Sequence, residues 1–253
     1  MTATLRGRRG VALALVLWVV VVCGGIAAGV VATTRTGGDA TANLRARTVA
    51  RYMAESAVLA ATTALEGRLR VAGEDTVARR VALNAPERAI AAVDSFSLGD
   101  GGAQVTIVDA NARLDVNLAT DAQLARLFEV TGGGARGPET ARAIRAWIEG
   151  GGAQGARLVR SLDELARLPG VHEEVIRRAA AYLTVDGDGR INRATAPAPV
   201  RAAAAGELAD EPSRLVVVAR GWQRGHPLTH ELQAVVAVQG DRLVLVHWRE
   251  RDL

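Results

Sequence analysis

The segment that most constrains this chain is an uncharged apolar run from Val11 to Ala32. A helix rises about 1.5 Å per residue, so about 20 apolar residues cross the hydrocarbon core of a bilayer. Three arginines, at positions 6, 8 and 9, precede the run, and basic residues favour the cytoplasmic side of a membrane. The run therefore predicts a single transmembrane helix over residues 11–32, with a cytoplasmic N-terminus and the bulk of the chain exported.

Three interpretations of this N-terminus are open. A cleaved secretory signal has a shorter apolar region and a cleavage site of small residues, which residues 30–32 match poorly. A permanent signal anchor fits the hydropathy but gives Gly10 no role. The third interpretation starts from Arg9 and Gly10, which directly precede the apolar run. This layout resembles a type IV prepilin, whose short basic leader is cut after the glycine.

The composition of the 253-residue chain excludes several classes of protein. Its 31 basic residues are all arginine and oppose 27 acidic residues, which gives a formal net charge of +4. Three of those arginines lie in the first ten residues, so the remainder is almost neutral, unlike a protein that coats nucleic acid. The single cysteine, Cys23, excludes both a disulfide framework and a cysteine-based zinc site.

Hydrophobic periodicity predicts a long helix, a helical middle and a β-rich end. Apolar residues at positions 50, 54, 58, 61 and 65 line one face of a helix that continues the anchor over residues 40–69. Strand-like alternation occurs at residues 103–109, 215–222, 231–239 and 242–248, with a two-residue hairpin turn at Gly240 and Asp241. Thr120 with Gln123, and Ser161 with Glu164, fit capping boxes that begin helices of the middle region.

These elements predict an α+β fold. A pilin-like N-terminal helix, first transmembrane and then amphipathic, would pack on an antiparallel sheet that is interrupted by a large helical insertion. The predicted segments are a leader at residues 1–10, the transmembrane helix at 11–32, and a periplasmic spine helix with the first part of the pilin-like domain at 33–109. The inserted helical domain then occupies residues 110–205, and the C-terminal β part occupies residues 206–253.

Part of the predicted insertion resembles a helix-hairpin-helix module. Residues 161–171 would place a glycine-containing hairpin between two helices, and such a hairpin can offer backbone amides to a DNA phosphate. His172 stands where the DNA-binding form carries a second glycine, and the carboxylates of Glu173 and Glu174 would repel a phosphate. The insertion holds 13 arginines against 11 acidic residues, so counterion release would drive binding only weakly. We therefore expect a structural module, and nucleic acid is not an expected partner.

The order of these parts resembles the K-type minor pseudopilins of type II secretion systems. The resemblance rests on the N-terminus together with residues 113–117, 161–170, 182–185 and 191–197. It also includes Leu15, because K-type members lack the glutamate that most pilins carry five residues after the cut. These pieces extend over almost the whole chain.

The resemblance implies a prepilin of the bacterial inner membrane, cut between Gly10 and Val11 by the prepilin peptidase and N-methylated on Val11. It further implies a non-catalytic role at the tip of the periplasmic pseudopilus, in protein export across the outer membrane. The implied partners are the I-type and J-type minor pseudopilins and the major pseudopilin. The alternatives are a membrane-anchored helix-hairpin-helix protein that binds DNA, and a periplasmic scaffold with a permanent anchor.

Motifs for metal binding and catalysis are weak. Asp186 and Asp188 alternate with glycine as in a calcium turn, but a third spaced carboxylate and a downstream glutamate are missing. A plain turn is the favoured interpretation, although the resemblance implies calcium without placing its ligands. His226 and His230 are four residues apart, but Pro227 breaks the helix that would align them for zinc, so we expect surface-loop residues. No P-loop, carboxylate pair or Ser-His-Asp set is visible in the sequence, and we expect no enzymatic activity.

Overall fold

The structure is a computed structural model that describes residues 8–150, 157–204 and 208–252, with side chains described for residues 13–28, 40–150, 157–204 and 208–251. The chain divides into two compact units, Met1–Thr48 and Val49–Leu253. The long first helix, α1, has the bounds Arg8–Ala72. The helix predicted over residues 40–69 is confirmed as part of α1.

The other helices of the described residues are short. Two follow α1 directly, and their bounds are α2 Thr76–Asn84 and α3 Pro86–Ala89. The rest belong to the middle of the chain: α4 Asp121–Val130, α5 Arg136–Glu149, α6 Leu162–Leu165, α7 Glu173–Ala179 and α8 Ala198–Ala203. Thr120 caps α4 with the capping box predicted from the sequence, since its hydroxyl accepts from the N–H of Gln123 and the Gln123 amide oxygen accepts from the N–H of Thr120.

The described residues form one large antiparallel sheet and two small parallel pairs. The strand bounds are β1 Ser95–Leu98, β2 Gly101–Asp109, β3 Leu114–Asp115, β4 Leu183–Thr184, β5 Ile191–Asn192, β6 Leu208–Ala209, β7 Arg214–Gln223, β8 Thr229–Gln239 and β9 Arg242–Asp252. The order in the large sheet is β1-β2-β7-β8-β9, while β3 pairs with β4 and β5 with β6. The four predicted strands are confirmed within β2, β7, β8 and β9. Gly240, with φ of +61°, turns the chain between β8 and β9 as predicted.

The helical middle of the chain interrupts the large sheet between two neighbouring strands. Asp109, the last residue of β2, lies opposite Leu215 at the start of β7. The chain therefore leaves the sheet and returns to it at the same place, and everything between is an insertion. The predicted combination of helix, antiparallel sheet and helical insertion is confirmed.

The C-terminal part of α1 packs on one face of this sheet. Its buried alanines and leucines, such as Leu65, share a core with residues of β2, β7 and β8, such as Val105 and Val217. The small side chains let the helix approach closely. A Cβ added to Gly221 of β7 would lie 2.0 Å from the carbonyl oxygen of Ala50, a distance that no side chain can occupy. Burial of the predicted apolar face thus positions α1 against the sheet.

The insertion has a hydrophobic core of its own. Phe128, Leu124 and Ile144 are fully buried there, and residues of α4, α5, α7 and α8 surround them. Because this core is separate from the one beneath α1, the insertion folds around its own apolar side chains. Polar contacts attach it to the sheet.

The described residues of the N-terminal unit form the first part of α1. Its apolar side chains are exposed along the described stretch, with Leu15 at 62% and Trp18 at 68%. Within the part of the chain that the structure describes, we find no helix apolar and long enough for a membrane span. The transmembrane helix predicted over residues 11–32 is therefore not evident here, and residues 11, 12 and 29–32 lie outside the described side chains. Residues 1–7 of the predicted leader lie outside the described residues altogether.

Candidate functional site

The insertion is tied to the sheet where the chain leaves β2 and returns to β7. Asn111, 1% exposed, lies at the centre of this junction. Its Oδ1 accepts hydrogen bonds from the backbone N–H groups of Ser213 and Arg214, at 3.0 and 2.8 Å. Its Nδ2 donates to Asp188 Oδ1 at 2.7 Å and to the carbonyl of Arg190 at 2.8 Å. One amide side chain therefore joins the outgoing strand, the returning strand and a turn of the insertion.

A second polar cluster surrounds Asp109 at the end of β2. Its Oδ1 accepts from the N–H of Asn111 at 2.7 Å, and its Oδ2 accepts from Asn192 Nδ2 at 2.7 Å and from the hydroxyl of Thr195. Burial raises the pKa of Asp109, and the hydrogen bonds from Thr195 and Asn192 only partly offset that effect. Residues 191–197, one of the segments that carry the K-type resemblance, thus hold the base of the insertion.

The turn at residues 186–188 is the third part of the junction. Asp186 Oδ2 accepts from Arg249 Nη2 at 2.5 Å, so the turn contacts β9. The carbonyl of Gly187 accepts from Arg214 Nη1 at 2.7 Å, so the same turn contacts β7. The structure therefore places this turn, for which calcium was the less favoured interpretation, against the sheet, where guanidinium groups meet it.

Asp188 completes this contact. Its Oδ2 accepts from the hydroxyl of Ser213 at 2.6 Å, while its Oδ1 accepts from Asn111. Burial acts to raise the pKa of Asp188, but the hydrogen bonds from Ser213, from the backbone N–H of Arg190 and from Asn111 outweigh it, so the pKa is lowered. The carboxylate is therefore held in its charged form.

A cleft of about 430 Å³ opens beside this turn, between the insertion and the C-terminal strands. Asp186, 8% exposed, lines it together with the arginines at positions 113, 160, 249 and 251. Asp186 Oδ1 lies 3.3 Å from Nε2 of His247 but has no partner with hydrogen-bond geometry among the described residues. The cleft thus carries mixed charge around two buried carboxylates, those of Asp186 and Glu231.

Asp115 supports the same region from within the insertion. It is 3% exposed, and its Oδ1 accepts from the N–H groups of Asn117 and Leu118 at 2.8 and 3.2 Å. Burial raises the pKa of Asp115, and the neighbouring charge of Asp186 acts in the same direction. Asn117 in turn donates to and accepts from the backbone of Val159. Residues 113–117, another part of the K-type resemblance, therefore brace the start of the insertion.

The predicted helical hairpin is present as α6 and α7, joined through Gly170 with φ of +78°. The capping box predicted for α6 is wrong. The Ser161 hydroxyl accepts from the N–H of Asp163, and the Glu164 carboxylate accepts from the N–H of Arg160 rather than from that of Ser161. The glutamate reaches one residue further back than a capping box requires.

Two carboxylates occupy the start of α7, where a phosphate would have to bind. Glu173 and Glu174 begin this helix and pair along it with Arg177 and Arg178, at 4.0 and 2.5 Å. The negative charge lies at the backbone amides that a DNA-binding hairpin offers to phosphate. The geometry thus matches the structural interpretation of the module.

The two histidines considered for zinc lie in different surroundings. His226 lies in the turn between β7 and β8, and its Nδ1 accepts from the N–H of Leu228 at 3.3 Å. His230 is 6% exposed in β8, with its Nε2 3.6 Å from Glu250. The expectation of a surface loop is therefore wrong for His230, because β8 begins at Thr229 and turns this ring inward. In the described ranges, no three His, Cys, Asp or Glu side chains form a group that could hold a metal ion.

The remaining predicted site residues lie in the N-terminal unit. Leu15 is described as an exposed residue of α1. The backbone of Gly10 and Val11 belongs to α1, but the side chain of Val11 lies outside those that the structure describes. The predictions of cleavage and methylation at these two positions stay predictions.

The chain resembles a subunit of a solved secretion complex. It aligns with a chain of the GspK–GspI–GspJ complex from the type 2 secretion system of enterotoxigenic Escherichia coli, with a TM-score of 0.62. The match covers 86% of this chain and 99% of that chain, at 13% sequence identity. The chain has a pseudopilin-like fold. No protein-family model and no curated protein matches it by sequence.

Sequence reasoning missed the residues that join the two parts of this pseudopilin-like fold. Asn111, Ser213 and Arg249 belong to no motif, because their partners lie far away in the chain. The available signal was indirect, since Asn111 stands two residues before the segment 113–117 that the resemblance uses. Asp186 and Asp188 were recognised, but the side chains that bind them belong to β9 and to the junction.

Proposed function

We propose that this chain is a minor pseudopilin that acts at the tip of a type II secretion pseudopilus. It is made as a prepilin of the bacterial inner membrane, cut after Gly10 and methylated on Val11, and its bulk lies in the periplasm. It assembles there with I-type and J-type minor pseudopilins above the major pseudopilin. Its role in protein export is assembly and not catalysis.

The observation that carries this proposal is the alignment over 99% of a subunit from the GspK–GspI–GspJ complex. That subunit belongs to a complex of the type 2 secretion system, and the match covers 86% of this chain with a TM-score of 0.62. The basic leader and the exposed apolar stretch of α1 supply the second support, because a prepilin needs both.

Leu15 supports a place at the tip. In a filament, a glutamate five residues after the cut neutralises the amino terminus of a neighbouring subunit, and a buried charge must be paired. Leu15 has no carboxylate to offer, which suits a subunit that has no neighbour above it. We expect Leu15→Glu to disturb tip placement, measured by co-purification with the I-type and J-type subunits. Unchanged co-purification and secretion would count against the charge argument.

The insertion supports the same place, because a bulky domain on the sheet would crowd a helical lattice. Asp109 and Leu215 are directly opposed, so replacing residues 110–214 by Asn-Gly would join β2 and β7 as a hairpin. We expect this variant to lose secretion while α1 and the sheet remain folded. If this variant still supports secretion, the insertion is not needed for the proposed role at the tip.

The proposal is tested first by the intact mass of the full chain after co-expression with a prepilin peptidase. We expect loss of residues 1–10 and the added mass of one methyl group on the new N-terminal residue, Val11. Gly10→Leu is the matched control, because it preserves the apolar helix but removes the glycine after which the cut falls. An uncut Met1 in both proteins, or a cut near Ala32, would contradict the proposal.

A further inference from the structure

The turn at residues 186–190 has the oxygen-rich composition that a calcium site requires, but three of its four carboxylate oxygens and two of its backbone carbonyls already accept hydrogen bonds. Arg249 donates to Asp186 Oδ2 and Arg214 to the Gly187 carbonyl, at 2.5 and 2.7 Å. Both oxygens of Asp188 are also occupied, Oδ1 at 2.7 Å and Oδ2 at 2.6 Å. The donors come from the sheet and from the junction beside it.

The backbone of the turn is engaged in the same way. The carbonyl of Arg190 accepts from Asn111 Nδ2 at 2.8 Å, and the N–H of Arg190 donates to Asp188 Oδ1 at 3.2 Å. Of the four carboxylate oxygens of Asp186 and Asp188, only Asp186 Oδ1 has no hydrogen bond within the described residues. His247 Nε2 lies 3.3 Å from that oxygen.

Calcium takes about six to eight oxygen ligands, at roughly 2.3–2.6 Å. To gather that number here, an ion would have to displace two guanidinium groups and the amide of Asn111. Arg249 already opposes the carboxylate of Asp186, and Arg214 that of Asp188, so both carboxylates have a cationic partner without a metal ion. The residues of this turn therefore do not fit a calcium ion.

We infer that Arg249 and Arg214 take the place of a divalent cation at this turn, so that the insertion is held on the sheet without calcium. Arg249 is suited to the role because the two terminal nitrogens of its guanidinium group bind two different segments of the insertion. Nη2 binds Asp186, and Nη1 donates to the carbonyl of Arg160 at 3.0 Å. A planar guanidinium can make both bonds at once, which an ammonium group cannot do with the same geometry.

The wild-type protein provides the first test. The full chain in detergent is stripped with EDTA and then melted in millimolar calcium chloride or in EDTA, with tryptophan fluorescence as the signal. We expect melting temperatures that agree within about 1 °C. A site with a dissociation constant a hundredfold below the calcium concentration would raise the melting temperature by roughly 5–10 °C. Such a rise would overturn the inference.

The second test removes the guanidinium. Arg249→Met should melt about 5 °C or more below the wild type, because Asp186 would be left as a buried carboxylate without its partner. Arg242→Met is the matched control, since Arg242 is an exposed residue of the same strand and should change little. Equal melting temperatures for Arg249→Met and Arg242→Met would also overturn the inference. Neither test depends on the proposed secretion role, which the leader-cleavage experiment decides separately.

Discussion

Truncation of Asn111 gives the sharpest test of how the insertion is joined to the sheet. The Asn111→Ala variant removes a side chain that is 1% exposed and makes four contacts with backbone or carboxylate groups. It leaves three backbone groups without their partner, namely the N–H groups of Ser213 and Arg214 and the carbonyl of Arg190. Asp188 retains other donors, because Ser213 and Arg190 still reach it.

The expected loss follows from those three groups. Each half-buried polar group that loses its hydrogen-bond partner lowers the free energy of unfolding by about 1 kcal/mol or more. With the cavity left by the side chain included, the total loss is about 3–5 kcal/mol. For a domain of this size, that corresponds to a fall in melting temperature of roughly 10 °C. Thermal unfolding of the full chain in detergent, followed by tryptophan fluorescence, measures it directly.

Two further variants separate the contributions. Asn111→Asp keeps the shape and the acceptor oxygen but turns the donor that faces Asp188 into a second carboxylate, so we expect it to be destabilised at neutral pH. Gln104→Ala, at an exposed position of the preceding strand β2, is the matched control and should melt near the wild type. If Asn111→Ala melts within about 2 °C of Gln104→Ala, the junction does not hold the insertion as argued.

Three other predictions concern the two cores and one buried carboxylate. Gly221→Ala should lower the free energy of unfolding in urea by about 3 kcal/mol or more, because its Cβ would collide with the Ala50 carbonyl; an unchanged urea midpoint would contradict this close approach. Phe128→Ala should cost about 3–5 kcal/mol through the cavity left in the insertion, and a loss below 1 kcal/mol would mean that this core is loosely packed. Burial acts to raise the pKa of Glu231, but its hydrogen bonds, of which the one from Arg220 has the largest effect, bring the pKa below its ordinary value of 4.5. Its stabilising effect is thus present above pH 4.5 and is lost as the pH falls through the lowered pKa, so Glu231→Gln should flatten the acid limb of stability against pH; an unchanged acid limb would refute it.

The sequence by itself determined the local elements. The alternation of apolar and polar residues at 103–109 and 231–239 predicts which side chains face a core. It can be recognised from the residues of a single strand, without knowledge of the strands beside it. The spacing of Ala50, Ala54 and Leu65 likewise predicted the buried face of α1, and Gly240 predicted its hairpin turn. Such features depend only on neighbours along the chain, so a pattern of a few residues is sufficient.

Only the tertiary structure decided how those elements are joined. Nothing in the local pattern indicates that Asn111 reaches Ser213, or that Arg249 reaches Asp186, because these pairs are distant in sequence and polar residues show no periodicity that would bring them together. The acidic, glycine-rich sequence of residues 186–189 predicted a turn, with calcium as the less favoured interpretation, but it gave no sign of the guanidinium groups that meet this turn. The fold supplies guanidinium groups from β7 and β9, since the return of the chain beside β2 brings those strands against the turn.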